Sequence, residues 1–310
     1  MMAPDASIKM STLELTIHKR RVPFAEGALR LAFHARTSAS TNSYVVKSFK
    51  QQDERFPLLV EDMRVQALCR AFAFEFSGLL GGENKIDFPA TACFKCKSAE
   101  GDAACISLET FLEGTYIKYN GNAGFVEDRH EGSANQAAQA FSHFTFERSQ
   151  GRFLVCDLQG AGEFLTDPVI HTADPDCFKL SETNLGTEGI KLFFVSHECN
   201  DLCGRLGLRS NQEMVKLCIY TFRDTWPAIL DAVRCSNKLC GRILQRAEAK
   251  VSDTFPGYHW CDTCLPQLQA FTISQACDLP GASHRFEVSR FFYESQGQKA
   301  PRRCPQHRED

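Results

Sequence analysis

A chain of 310 residues, 43% hydrophobic and 24% charged, can bury a substantial core, which excludes wholesale disorder. Thirty-five Lys and Arg against 38 Asp and Glu leave a formal net charge of −3, which argues against a polyanion binder and so against nucleic acid as a partner. With no apolar run near the roughly 20 residues of a membrane span, no secretory signal and no Asn-x-Ser/Thr triplet, the expectation is a soluble cytoplasmic protein without membrane partners, its fifteen cysteines reduced.

Residues 1–20 read as a loose lead-in. Short strands follow, with alternating patterns over Ala28–His34 and Ser43–Phe49 and a Thr/Ser/Asn cluster between them. Val65, Leu68, Cys69, Phe72 and Phe76 recur at helical spacing and predict a helix over Glu61–Phe76, closed by Ser77-Gly78. Phe88–Phe94 and Cys105–Leu112 look like strands, and Gly121–Gly132 is a polar loop. Asn135–Ser142 suits a helix. Phe144–Phe146 and Phe153–Asp157 suit a hairpin around Ser149-Gln150-Gly151. An irregular stretch reaches Gly189, where a helix starts and runs beyond Cys203 with a break near Gly204. Met214–Ala249 reads as a second helical region, and Pro and Gly punctuate the tail beyond about residue 250. Strands first and helices after give an α+β class.

Three local patterns carry chemistry. His197, Cys199 and Cys203 bring three soft or borderline metal ligands together, and a helix through Cys199 and Cys203 would place both sulfurs on one face. A closed structural zinc site needs a fourth ligand from elsewhere. Val155-Cys156-Asp157-Leu158-Gln159-Gly160 delivers Asp157 at the end of an apolar strand, and Asp167 follows ten residues on. Phosphoryl transfer needs carboxylates and an amide oxygen for Mg²⁺, and an Asp to orient the attacking hydroxyl. Lys47 ends the β-branched run Ser43-Tyr44-Val45-Val46, where a strand lysine can pair phosphates and a helix acid; Glu61 or Asp62 is the candidate acid. No Gly-x-Gly-x-x-Gly, His-Arg-Asp, Asp-Phe-Gly or Walker lysine motif occurs, which excludes an ordinary protein kinase and a P-loop enzyme.

In that order, over roughly residues 20–210, the motifs resemble the alpha-kinase family of atypical protein kinases. The matching segments are 23–30, Tyr44 to Phe49, Glu109 to Asn122, Gln139 to Phe146, Leu154 to Gly160, Leu165 to His171 and Asn184 to Cys203. The resemblance implies a two-lobed protein-kinase-like fold, with an N-lobe antiparallel sheet, one long helix, and a mixed C-lobe with a structural zinc site. It implies an ATP-dependent serine/threonine kinase acting on a protein substrate. Lys47 would bind phosphate, Glu109 and Leu112 would sit where the hinge meets adenine, and Lys118 would add an ATP contact. Asp157 would be the catalytic Asp, Gln159 and Asp167 the Mg²⁺ ligands, and His143 the ligand that completes a Zn²⁺ site with His197, Cys199 and Cys203. His171 stays outside that set as a structural loop histidine.

Ser181-Glu182-Thr183 stands where the family carries glycines before Asn184-Leu185-Gly186, so peptide docking departs from the pattern. That departure sustains an alternative, a kinase-shaped module that binds nucleotide or partner with weak transfer. Residues 21–212 are the expected kinase domain and 213–310 an extension. In this extension Cys261, Cys264, Cys304 and His307 share a two-residue spacing that suits a second zinc, with Cys277 and His259 in reserve; a loosely docked tail is the competing reading.

Overall fold

Apolar alternation makes strands of the N-terminal third, and the computed structural model shows where they pair. It describes residues 14–27, 29–51, 56–97, 103–127, 132–211 and 221–308. The chain runs through β1 (Ile17–Lys19), β2 (Ala25–Glu26), β3 (Arg30–Thr37), β4 (Tyr44–Phe49), α1 (Phe56–Leu79), β5 (Thr91–Lys97), β6 (Ala103–Thr110), β7 (Tyr116–Lys118) and α2 (Ser133–Arg148). Next come β8 (Leu154–Cys156), β9 (Gln159–Ala161), β10 (Phe164–Thr166), β11 (Val169–His171), α3 (Gly186–Ser196) and α4 (Asp201–Arg205). The tail adds β12 (Ala232–Arg234), β13 (Ile243–Gln245), β14 (Lys250–Ser252), β15 (Phe255–Trp260), α5 (Gln267–Ala270), β16 (Thr272–Ala276), β17 (Arg285–Ser289), α6 (Arg290–Ser295) and a 3-10 turn at Pro305–His307. The class is α+β. Among the described residues no helix is long and apolar enough to cross a membrane.

The residues divide into two compact units. The helical unit takes the described parts of 52–107 and 112–232; the sheet unit takes those of 9–51, 108–111 and 233–310.

In the helical unit, α1 starts on Phe56-Pro57, where a proline's missing N–H costs nothing. It buries Leu59, Val65, Leu68, Cys69, Phe72 and Phe76. Gly82, at φ 83°, donates its N–H back to the Ser77 carbonyl (2.9 Å), the left-handed glycine cap that stops a helix. Phe76 meets Phe141 and Phe144 of α2 edge to face, at 5.4 and 5.5 Å. Two small antiparallel ladders, β7–β9–β10 and β8–β11, follow. Phe146, Leu154, Cys156, Val169, Ile190, Phe193 and Phe194 form a core against them.

In the sheet unit, β3 pairs antiparallel with β1, β2 and β4. Its tail is closed around Trp260, Phe291 and Phe292, which pack with Leu244, Leu268 and four cysteines or their neighbours. The tail is a packed body, which removes the reading of a loosely docked segment.

Several expectations are corrected. Residues 1–13 of the lead-in, Ala28, 128–131 of the polar loop and 214–220 of the second helical region lie outside the described residues. Ile17–Lys19 is a strand. Phe144–Phe146 belongs to α2, not to a hairpin, and β8 pairs with β11 instead. The helix from Gly186 stops at Ser196, and a new one opens at Asp201, so Cys199 lies before a helix and not on one. Asn200 caps that second helix, its side chain accepting from Leu202 and Cys203 N–H at 3.0 and 3.3 Å. Residues 221–249 form turns and the strands β12 and β13 rather than a helix.

Candidate active site and metal centres

The ladders of the helical unit gather the acidic residues at one place. Val169 pairs with Cys156, so Asp157, just after β8, and Asp167, just before β11, emerge at the same end of that ladder. Gln159 pairs with Thr166 on one side and with Lys118 on the other. Lys118 Nζ reaches Asp157 Oδ1 at 2.5 Å, and Gln159 Nε2 donates to Asp157 Oδ2 at 3.3 Å. The structure thus brings Lys118, Asp157 and Gln159 together, with Asp167 at the same end of the ladder.

Asp157 and Asp167 have φ of 57° and 51°, the left-handed region that costs a side chain of this kind of order 1–3 kcal/mol. Strain of that kind is held only where the surroundings overdetermine it. Here the buried amide of Asn120 does so: its Oδ1 accepts from Leu158 N–H (2.9 Å) while its Nδ2 donates to Gln139 Oε1 and Ser142 Oγ at 3.2 and 3.0 Å. A Cβ on Gly160 would strike the Phe164 carbonyl and come within 2.8 Å of Leu165 Cα, so only glycine permits the close β9–β10 pairing. Asn120 and Gly160 support the backbone at Asp157, and residue spacing did not single them out; the left-handed backbone gave no sequence signal.

In the sheet unit, Lys47 Nζ meets Glu109 Oε1 at 2.6 Å, with the side chains only 12% and 8% exposed. Glu61, one of the two acids considered on α1, accepts the Leu180 N–H at 2.7 Å and anchors the loop after Phe178. Leu112 is half-buried just after β6.

His143, His197, Cys199 and Cys203 come together with all four ligand atoms within 4.8 Å of one another. Cys199 Sγ lies 3.8 Å from His143 Nδ1, and Cys203 Sγ 3.7 Å from His197 Nε2. The Cys199 thiol is drawn far below its ordinary value, first by the hydrogen bond from Cys203 and then by the two imidazoles. Glu147 stands 3.6 Å from the other nitrogen of His143 and accepts the Arg209 N–H at 2.6 Å. His171 stays apart: its Nδ1 accepts from Leu185 N–H (3.1 Å), so its Nε2–H donates to the Asn122 carbonyl (2.8 Å). Burial holds it below the usual imidazole range and therefore neutral.

The tail residues do not form one set. Cys261 and Cys264 group with Cys235 and Cys240; Cys304 and His307 group with Cys277 and His284; His259 belongs to neither.

The chain was compared with known proteins. The alpha-kinase family model matches residues 25–203. Alpha-protein kinase 1 of Dictyostelium discoideum is 38% identical over 191 residues, covering 61% of this chain and 14% of that protein. Human eukaryotic elongation factor 2 kinase is 36% identical over 204 residues, 63% of this chain and 27% of that protein. Among solved structures the chain is similar to an alpha kinase from Entamoeba histolytica, with a TM-score of 0.57, 31% identity and coverage of 63% and 79%. It is also similar to the alpha-kinase domain of myosin heavy chain kinase A in complex with ADP, with a TM-score of 0.56, 31% identity and coverage of 64% and 90%. The matches span 14% and 27% of those two curated relatives.

Proposed function

Because the chain belongs to the alpha-kinase family, we propose that it is an ATP-dependent protein kinase that transfers the γ-phosphate to a serine or threonine hydroxyl. The observation that carries this reading is the convergence of Asp157, Gln159, Lys118 and Asp167 at one end of the β8–β11 ladder. Asp157 takes the proton of the attacking hydroxyl as its oxygen bonds to the γ-phosphorus. The bond from that phosphorus to the β–γ bridging oxygen then breaks, and ADP leaves with the electron pair. Lys47 and Lys118 neutralise phosphate charge, with Glu109 holding Lys47 in place, and Leu112 supports the adenine.

Gln159 and Asp167 offer hard oxygen donors, the type Mg²⁺ prefers, and the amide oxygen is what Gln159 has left to give once its nitrogen engages Asp157. Mg²⁺ bound there supplies charge neutralisation on the phosphates. The two imidazoles and two sulfurs of His143, His197, Cys199 and Cys203, with their ligand atoms within 4.8 Å of one another, are the donor set that a tetrahedral Zn²⁺ site takes. Closed by four protein ligands, that site is structural, and Glu147 orients His143 from behind. With fifteen cysteines to keep reduced, the reading places the enzyme in the cytoplasm.

The test is transfer of labelled γ-phosphate from ATP to a basic Ser/Thr peptide. Asp157→Ala should lower the rate by roughly 10²–10⁴-fold, the weight of a proton-accepting group, while the protein keeps its fold. Equal transfer by wild type and variant would sink the assignment.

A further inference from the structure

The tail gathers eight Cys and His side chains into two tetrads. Cys235 and Cys240 bracket the β12–β13 turn. There Cys235 N–H donates to the Arg242 carbonyl (2.8 Å), and the N–H groups of Cys240 and Gly241 both donate to the Asn237 carbonyl (2.9 and 2.8 Å). Gly241 takes φ 57°, which lets that turn close. Cys261 and Cys264 sit on the turn after β15, where Cys264 and Leu265 N–H donate to the Cys261 carbonyl at 3.1 and 3.0 Å. Two tight turns therefore aim two sulfurs each at one point. All four lie within 4.8 Å of one another, with Cys240 and Cys261 at 4.0 Å. A tetrahedral zinc with bonds of about 2.3 Å needs sulfurs about 3.8 Å apart; a disulfide needs about 2.05 Å. The spacing is that of a metal site.

The surroundings agree. Cys264 is fully buried, yet Asn237 Nδ2 and Asn42 Nδ2 both point at its sulfur, from 3.4 and 3.9 Å. Amide donors on a buried sulfur are what a metal-bound thiolate collects. In the second tetrad, Cys277 N–H donates to the His284 carbonyl (3.1 Å), closing the β16–β17 loop. His307 N–H donates to the Cys304 carbonyl (3.0 Å) in the last turn. His307 Nδ1 lies 3.5 Å from Cys277 Sγ and 3.4 Å from Cys304 Sγ, and Cys304 N–H donates to Cys277 Sγ at 3.5 Å. This tail has only short strands and one small core, the kind of body that needs a staple.

The first tetrad also reaches the loop between β3 and β4. Gln267, whose N–H donates to the Cys264 carbonyl (3.2 Å), is 3% exposed. Its Oε1 accepts from Ser40 Oγ and Thr41 N–H at 2.8 and 2.9 Å, and its Nε2 donates to Asn42 Oδ1 at 2.8 Å. That loop leads directly into the strand of Lys47.

We propose that the tail carries two structural zinc ions, one on Cys235, Cys240, Cys261 and Cys264 and one on Cys277, His284, Cys304 and His307, and that the first fastens the β3–β4 loop. The proposal does not rest on the kinase reading. Native mass spectrometry with elemental analysis of the full chain, purified without chelators, tests it. Cys235→Ser and Cys277→Ser should each carry one zinc fewer than wild type, and the double variant two fewer. Any ion at His143 adds equally to every sample, so these differences stand whatever its fate. Amide exchange over residues 38–44 should quicken in Cys235→Ser and not in Cys277→Ser. Where a variant does not fold, thiol alkylation of the wild type replaces it. The six tail cysteines should stay unmodified under native conditions and all react once a zinc chelator is added. Iron in place of zinc, variants with unchanged metal, or alkylation indifferent to the chelator would overturn the two sites. Unchanged exchange in a folded Cys235→Ser would overturn the fastening.

Discussion

Two lysine–carboxylate pairs, one in each unit, have nearly the same length and different surroundings. Lys47–Glu109 closes at 2.6 Å with both side chains about nine-tenths covered, on two regular strands. Lys118–Asp157 closes at 2.5 Å with the lysine 47% exposed and the aspartate on left-handed backbone. Distance alone would rank them equal. Burial separates them, because removing one partner of a covered pair strands a charge in low dielectric, whereas water takes over at an open one. The first pair is a fixture that sets a lysine's position. The second, with its lysine half open to solvent, is a contact that a competing charge can displace.

The sharpest way to break that contrast is to delete the buried carboxylate. Glu109→Ala should cost about 3–5 kcal/mol, the usual penalty for breaking a buried pair, read as a drop in denaturation midpoint at unchanged slope. A loss below 1 kcal/mol would mean that Lys47 is well solvated and the two pairs are alike. Next in size is the backbone at the open pair. Asp157→Gly and Asp157→Ala both lose the carboxylate, but only glycine accepts φ 57° without strain. The glycine variant should be more stable by about 1 kcal/mol, with both inactive. Equal stability would show that the left-handed turn is relaxed. Smallest is Lys118→Met, expected to change stability by less than about 1 kcal/mol while raising the KM for ATP. A larger stability loss would make the exposed pair a fixture too.

The contrast also explains what could be read in the chain itself. Lys47, the Asp157–Gly160 run and His197–Cys203 are short, local signatures: the first lies on a strand and the second follows one, as their patterns suggest, whereas the helix expected through Cys199 and Cys203 opens only at Asp201. Glu109 as the partner of Lys47 lies far along the chain, so no periodicity could reveal it, and an acid on the next helix was the natural expectation. The sequence pattern marks only the first part of α2, because Phe141, His143, Phe144, Thr145 and Phe146 are all buried and leave no polar face to show a helical period. In the tail, Cys235 and Cys240 fell inside a stretch that resembled a helix. Their four-residue gap, filled by Ser236, Asn237, Lys238 and Leu239 and followed by Gly241, is a turn signal that outweighs the apolar pattern. Once that gap is seen, the Cys261–Cys264 pair has its partner set and no longer needs Cys304 and His307.

The Gln267 clamp on the β3–β4 loop has a consequence for the order in which the protein is made. Its hydrogen bonds to Ser40 and Thr41 span 227 and 226 residues of chain. Contacts of such separation are slow to form because loop closure must precede them. At a translation rate of roughly 5–20 residues per second, the ribosome needs about 10–45 s to supply Gln267 after the loop it grips, whereas a hairpin pairs in microseconds. The β3–β4 hairpin thus leaves the ribosome early, already paired along its strands but with its loop unheld. The strand that carries Lys47 is among the first to form and among the last to be locked.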